Sequence, residues 1–341
     1  MGLGGHLLWS SVVRRLHEDS GNQVRVGYRP GLTDLLRGEL HDTSRSIRND
    51  TIFRDNPRIY AQPVVEKSSL FIVVDRAVIA VLRLLGLLWA YERFIFWLAC
   101  QMRHRSGVWY AHIDMRIHSY VRQETPDRMV WKEGGHIIDI VLANYGLIAG
   151  DYQCEMYFSP DEEEAVDRLQ ESLKLSTAFV VVEPHSKSQW FGDLREWPFE
   201  RWERVVKWLR DQNYPVVQIG EGGNSVLEGA IDITGRTSFR EAVLLMQRAR
   251  LFLGQEGGLM HAANAVDVPS VIVWGGLTLP EFAGYRKHRV LCTHVECAPC
   301  GLRGNCPYDK KCLTSVEPGD VISAVSETLA YEGSLGPPFV G

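Results

Sequence analysis

The stretch Leu251-Phe-Leu-Gly-Gln-Glu-Gly-Gly-Leu-Met-His-Ala-Ala-Asn-Ala265 decides the fold. Leu251 to Gly254 is an apolar run of strand length, and Leu259 to Ala265 is rich in helix formers. Between them sits a turn with paired glycines, Glu256-Gly257-Gly258. A strand that turns straight into a helix is the repeating step of an α/β domain. Glycines at that turn let the backbone approach a ligand closely, and the free N–H groups of the new helix suit a phosphate. His261 falls in the first helical turn, within reach of a phosphate oxygen. Glu256 suits sugar or ribose hydroxyls better.

The same alternation runs outward from this stretch. Upstream are a strand at 178–182, a helix at 200–212 with Trp202, Val205, Val206 and Leu209 on one face, and a strand at 216–219. A helix at 238–249 follows, and downstream is a strand at 270–274. Ser159-Pro-Asp-Glu162 opens an earlier helix with Ser as cap, Pro at the first position and Glu three residues on. Alternating strands and helices imply right-handed βαβ units and a parallel sheet. The first half is less regular. It reads as a Gly-rich turn, Gly2-Leu-Gly-Gly-His6, an amphipathic helix to His17, and strands at 23–28 and 108–113. A helix at 136–147 and a short strand at 155–158 follow. The expected domains are 1–155, with an apolar helical insert at about 68–105, and 156–341.

Composition agrees with two globular domains. Of 341 residues, 45% are apolar and 23% charged, which excludes a wholly disordered chain. The net charge of -5 argues against a nucleic-acid partner. No stretch near the start has the order of a signal peptide, so a cytoplasmic location is expected. Residues 70–102 are the most apolar part of the chain. Arg83, Glu92 and Arg93 interrupt them, so a spanning helix is not expected. They read either as buried amphipathic helices or as a helix lying on a membrane surface. In the second case Trp89, Phe94, Phe96 and Trp97 insert, with Arg83, Arg93, Arg103 and Arg105 at the headgroups.

Ligands of open α/β sheets sit beyond the carboxyl ends of strands. Ser186, Lys187 and Arg195 follow the strand at 178–182, and the two cations suit a diphosphate. Gly220 and Glu221 follow the strand at 216–219, and Gly235 stands in Asp232-Ile-Thr-Gly-Arg-Thr-Ser238. The expected donor set is therefore Ser186, Lys187, Arg195, Gly220, Glu221, Gly235, Glu256, Gly257, Gly258 and His261. Cys297, Cys300, Cys306 and Cys312 lie in a loop-rich segment, 292–312, at C-x2-C-x5-C-x5-C spacing. With no secretion signal, such a cluster reads as a structural zinc or iron site in preference to disulfides.

Lys187, the stretch Arg195-Glu-Trp-Pro-x-Glu-Arg-Trp202, the 232–238 loop, the 252–263 turn and the trailing cysteines together resemble glycosyltransferase family 9, the heptosyltransferase family. The resemblance covers roughly 155–330 and is absent over 66–105. It implies a GT-B fold, two Rossmann-like domains facing across a cleft, with a nucleotide sugar (ADP-heptose-like) on the second and the acceptor on the first. It also implies inverting, metal-independent transfer to a glycan, lipid-linked or protein acceptor, as in lipopolysaccharide or glycoprotein biosynthesis; the surface-lying reading of residues 70–102 would put the chain at the inner face of the membrane. Iron at similar cysteines is known for some relatives. The first loop departs from the family, with Gly5 where an Asp falls. A base is still needed to deprotonate the acceptor. Asp114, at a strand end, is the first candidate, His6 the second and His112 the third. A nucleotide-sugar epimerase or dehydrogenase is disfavoured because no Tyr-x-x-x-Lys pair is present. A catalytically inactive sugar-nucleotide binder is the remaining alternative.

Overall fold

The computed structural model describes residues 2–27, 50–60, 69–106, 109–113, 121–131, 134–175, 178–186 and 191–330. The chain forms two compact units, one of Leu3–Val121 with Ile137–Tyr157, the other of Arg122–His136 with Phe158 onward. Residues 122–136, which the sequence assigns to the first domain, thus pack in the second unit.

In the first unit, helix α1 (Leu3–Ser20) buries Leu7, Leu8, Val12, Val13 and Leu16 along one stripe. Gly4 and Gly5 lie inside its first turn, so the expected Gly-rich turn is helical. Strand β1 (Arg25–Gly27) precedes helices α2 (Ser69–Leu84) and α3 (Leu88–Ser106). Strand β2 (Tyr110–His112) pairs with β1 in parallel, Val26 opposite Ala111. The expected strand at 155–158 is absent. Glu155 instead donates its N–H to Ser10 Oγ at 2.7 Å, and its carboxylate takes Arg58 Nε at 2.9 Å, so side chains replace a ladder.

Strands β3 (Val121–Thr125) and β4 (Arg128–Trp131) form a two-stranded sheet around Pro126-Asp127. Helix α4 (Ile137–Ala143) returns to the first unit. The second unit then runs α5 (Pro160–Ser172), β5 (Val180–Val182), α6 (Phe199–Asp211), β6 (Val216–Gln218) and β7 (Ile231–Asp232). It continues with α7 (Phe239–Gln247), β8 (Leu251–Gln255), α8 (Gly258–Ala265), β9 (Ser270–Trp274), α9 (Pro280–Ala283), β10 (His288–Cys292), α10 (Lys311–Thr314) and α11 (Pro318–Ala330). Ser159 caps α5 with a full capping box, as its sequence predicts.

The six strands of the second unit lie in the order β7-β6-β5-β8-β9-β10, every pair parallel. In chain order this is 3-2-1-4-5-6, the doubly wound arrangement, and its direction reverses between β5 and β8. Three β-branched valines fill β5, all buried, because both faces of a parallel sheet are covered. On one face α6 sets Trp202, Val205, Val206 and Leu209 against Val180 and Val182, and α11 adds Val321, Ala324 and Val325. Arg240 of α7 grips both carboxylate oxygens of Glu162 of α5, donating from Nε at 2.7 Å and from Nη2 at 2.8 Å. A buried arginine tolerates that environment only with a carboxylate so placed.

Candidate donor site

The reversal between β5 and β8 is where a doubly wound sheet opens a crevice for ligand. Gln255 ends β8 and ties the point together. Its Oε1 accepts the Trp197 N–H at 3.1 Å and its Nε2 donates to the Pro184 carbonyl at 3.2 Å. The next residue, Glu256, is buried, and its Oε1 takes Thr278 Oγ at 3.0 Å and the Arg195 guanidinium at 3.1 Å. Burial raises the Glu256 pKa, and Arg195 and Thr278 oppose the rise. Among the described residues, Glu256 Oε2 and Arg195 Nε have no hydrogen-bond partner although both are buried. Such orphans are rare in native cores and call for a ligand or an ordered water. Arg195 also lies 4.6 Å over the Phe191 ring. It is therefore engaged with Glu256, where the sequence pairs it with Lys187.

Gly257 and Gly258 lead into α8, whose first N–H groups face the strand ends. His261 sits one turn on, buried, with Nδ1 2.6 Å from the Tyr285 hydroxyl. Burial pushes its pKa down to about 3, helped by His136, Arg195 and His288. The ring is neutral at physiological pH. In the tautomer where the Tyr285 hydroxyl donates to Nδ1, the ring proton is on Nε2 and would be offered to an oxygen ligand.

Around β5 and β6, Ser186 donates its N–H to Glu196 Oε1 at 2.9 Å. Burial, with Glu221 and Glu196 nearby, pushes Glu183 up to about 8. Gly220 has φ +135 and accepts Gly235 N–H at 2.9 Å. Gly235 has φ +68, and a Cβ added there would fall 3.0 Å from Gly222 Cα, so the two loops approach closely at a left-handed glycine. Ser186, Gly220, Glu221, Gly235, Arg195, Glu256, Gly257, Gly258 and His261 thus all fall at carboxyl ends of the sheet's strands. Lys187 lies outside the described residues.

Of the base candidates, Asp114 lies outside the described residues, and nothing is described of the His112 side chain. His6 is buried in α1, 3.7 Å from Asp50 Oδ2 and stacked on Phe53 at 5.9 Å. Asp50 is pinned in turn by the Ile52 N–H at 2.8 Å. The sequence reading missed Asp50, Glu183, Gln255, Thr278 and Tyr285. Only Gln255 and Glu183 carried a signal, being polar at strand ends; the others meet their partners across long separations.

Cys297, Cys300, Cys306 and Cys312 are free thiols, as is Cys292 at the start of the segment. Burial raises Cys300 and Cys312, and each feels the other thiols of the cluster. Among the described residues, no three His, Cys, Asp or Glu side chains are arranged to hold a metal ion. The segment has its own anchors. Met129 N–H meets the Gly301 carbonyl at 2.7 Å, Arg128 bridges Leu302, and Leu277, Phe191 and Leu194 form a small core beneath Cys300 and Cys306. A cavity of about 680 Å³ opens beside it, lined by Trp131, Phe282 and Tyr308. Among the described lining residues the charges are Arg128 against Glu281 and Glu296, a poor match for a diphosphate.

Residues 143–311 match the family model of glycosyltransferase family 9 (heptosyltransferase). This stretch belongs to glycosyltransferase family 9. The family 9 stretch contains β5 through β10 and every described residue of the donor set. Lipopolysaccharide heptosyltransferase 2 of Salmonella typhimurium is 29% identical over 112 residues, 29% of this chain and 32% of that protein. The Escherichia coli K12 protein of the same name matches equally, so the match spans about a third of these relatives' length. The solved family 9 glycosyl transferase of Veillonella parvula superposes with a TM-score of 0.60 at 15% identity, covering 96% of this chain and 95% of that one. Escherichia coli ADP-heptose lipopolysaccharide heptosyltransferase II gives 0.55 at 17%, covering 96% of each. These likenesses show the fold, which is α/β and of the GT-B class.

Proposed function

We propose that the protein is an inverting glycosyltransferase that moves heptose or a related sugar from a nucleoside-diphosphate donor to a hydroxyl of a glycan, lipid-linked or protein acceptor. The observation that carries this reading is the set of Arg195, Glu256, the α8 N-terminus and His261 at the point where the sheet order reverses. The α8 N–H groups, the His261 Nε2–H and the cations Lys187 and Arg195 would neutralise charge as the diphosphate leaves. The orphaned Glu256 Oε2 would take a hydroxyl of sugar or ribose. Asp114 is the proposed base and His6 the second candidate, with Asp50 Oδ2 3.7 Å from its ring. A lipopolysaccharide acceptor and an ADP-heptose donor are the candidates that the names of the similar proteins support.

A second reading, an inactive sugar-nucleotide binder, is favoured by one observation. Gly4 and Gly5 are wound into α1, whose own first turn supplies no acidic residue. Mass spectrometry of a panel of nucleotide sugars incubated with the protein, with and without acceptors, separates the two. Release of nucleoside diphosphate supports transfer; binding without release under every acceptor supports the second reading. A structural zinc or iron at Cys297, Cys300, Cys306 and Cys312 is proposed from their spacing, and requires the four sulfurs to draw together. Protein purified without chelator should then hold about one zinc or iron per chain; under about a tenth of that overturns it.

A further inference from the structure

The helical hairpin of α2 and α3 has no counterpart in the chemistry of the donor site. Its inner side is anchored, since Ile95 of α3 packs on Tyr110 of β2 and Phe96 meets the Tyr145 ring edge-on at 5.1 Å. Its tip is the opposite of an ordinary surface turn. Leu84-Leu85-Gly86-Leu87 joins the helices, with Leu84 87% exposed, and Leu85, Leu87 and Trp89 are exposed beside it. Val73, Val74, Val81, Phe94 and Trp97 add further exposed apolar surface. Surface loops are normally polar, and a contiguous apolar tip marks an interaction site.

The charges select the partner. The hairpin carries two acidic residues, Asp75 and Glu92, and both are buried, at 8% and 3% exposure. Arg76, Arg83 and Arg93 are exposed. The charged groups that this described surface turns to solvent are therefore cationic, on a chain whose net charge is -5. Arg93 lies 5.1 Å over the Trp89 ring, so a cation and an amphipathic indole share one edge of the tip. A second copy docking symmetrically on this face would bring arginines against arginines, with both carboxylates withdrawn. Among the described residues no helix is long and apolar enough to cross a membrane. We propose that the α2–α3 tip inserts into the headgroup region of an anionic lipid bilayer, Leu84, Leu85, Leu87 and Trp89 entering the acyl boundary and Arg76, Arg83 and Arg93 meeting phosphates. This is the amphipathic mode of interfacial binding. It does not depend on the donor site.

Co-sedimentation of the full chain with phosphatidylcholine vesicles, with and without phosphatidylglycerol, tests it. The protein should partition to the anionic vesicles, and Leu84→Asp/Leu85→Asp should lower partition at least about tenfold. Arg83→Glu/Arg93→Glu leaves the apolar tip intact and should lose about fivefold per arginine, on anionic vesicles alone. Thermal unfolding of both variants should match the parent, since the changed side chains are exposed. Protein that stays in the supernatant with either vesicle overturns the proposal. So does partition unchanged in both variants, or a dimer in sedimentation velocity that the leucine variant abolishes without any vesicle binding.

Discussion

At Arg195 the guanidinium balances a carboxylate that water hardly reaches, 3.1 Å away on Glu256. Arg195→Ala would leave that charge buried and alone, which costs about 3 kcal/mol, the low end for breaking a buried pair. In urea unfolding, Arg195→Ala/Glu256→Gln should recover most of the loss, because the second change removes the orphaned charge. An equal loss in single and double variants would show that the pair is not coupled. Glu183 behaves differently, since its carboxyl has burial and two acidic neighbours against it. Its folded pKa of about 8 exceeds the ordinary 4.5, so the folded state holds the proton more tightly than the unfolded chain does. Its proton therefore costs nothing below pH 4.5, and stability falls as pH rises from there toward 8. Glu183→Gln should melt close to the parent at pH 5. At pH 8 it should melt higher by at least ~2–4 °C, the shift that 1 kcal/mol gives a domain of this size. A gap that does not grow with pH would contradict the burial of this carboxyl.

Among the elements, the 292–312 segment gives the sharpest steric test. Gly301 has φ +61, and a Cβ there falls 1.8 Å from the Met129 carbonyl oxygen, where the segment bridges β4. Gly235 is also left-handed, yet its nearest atom is 3.0 Å away. Gly301→Ala should therefore destabilise by more than the ~1–2 kcal/mol of a left-handed alanine, and Gly235→Ala by about that amount. Chemical denaturation gives the order, and the reverse order would contradict the bridge. The periodic elements were legible in sequence because one rule decided each. The valines of β5, the apolar stripe of α6 and the cap at Ser159 are local signals, and all three appear as read. The β3–β4 hairpin and the edge strand β10 were not read. Strands β3 and β4 carry no clean apolar alternation and pair with each other, braced by the bridge from Arg128 to Leu302, while β10 is fixed by its register on β9, His288 opposite Ser270. Glu155–Phe158 looked like a strand by composition, but Ser10 and Arg58 satisfied it first.

For the whole molecule, the sheet order is the strongest link between sequence and function, since 3-2-1-4-5-6 fixes where a ligand enters. The paired glycines and His261 marked that place in the sequence. The sequence could not show that Arg195 is held by Glu256, because the two side chains meet only after β5 and β8 lie side by side. The central claim is that this reversal point binds a nucleoside diphosphate through the α8 N-terminus and His261. Isothermal titration of ADP into the parent protein and His261→Asn tests it most directly. The account predicts binding by the parent and an affinity at least ~10-fold weaker in the variant, the scale of a hydrogen bond to a charged group, with the fold intact by circular dichroism. No binding by the parent of ADP or any other nucleoside diphosphate, or equal affinity in the two proteins, would contradict it.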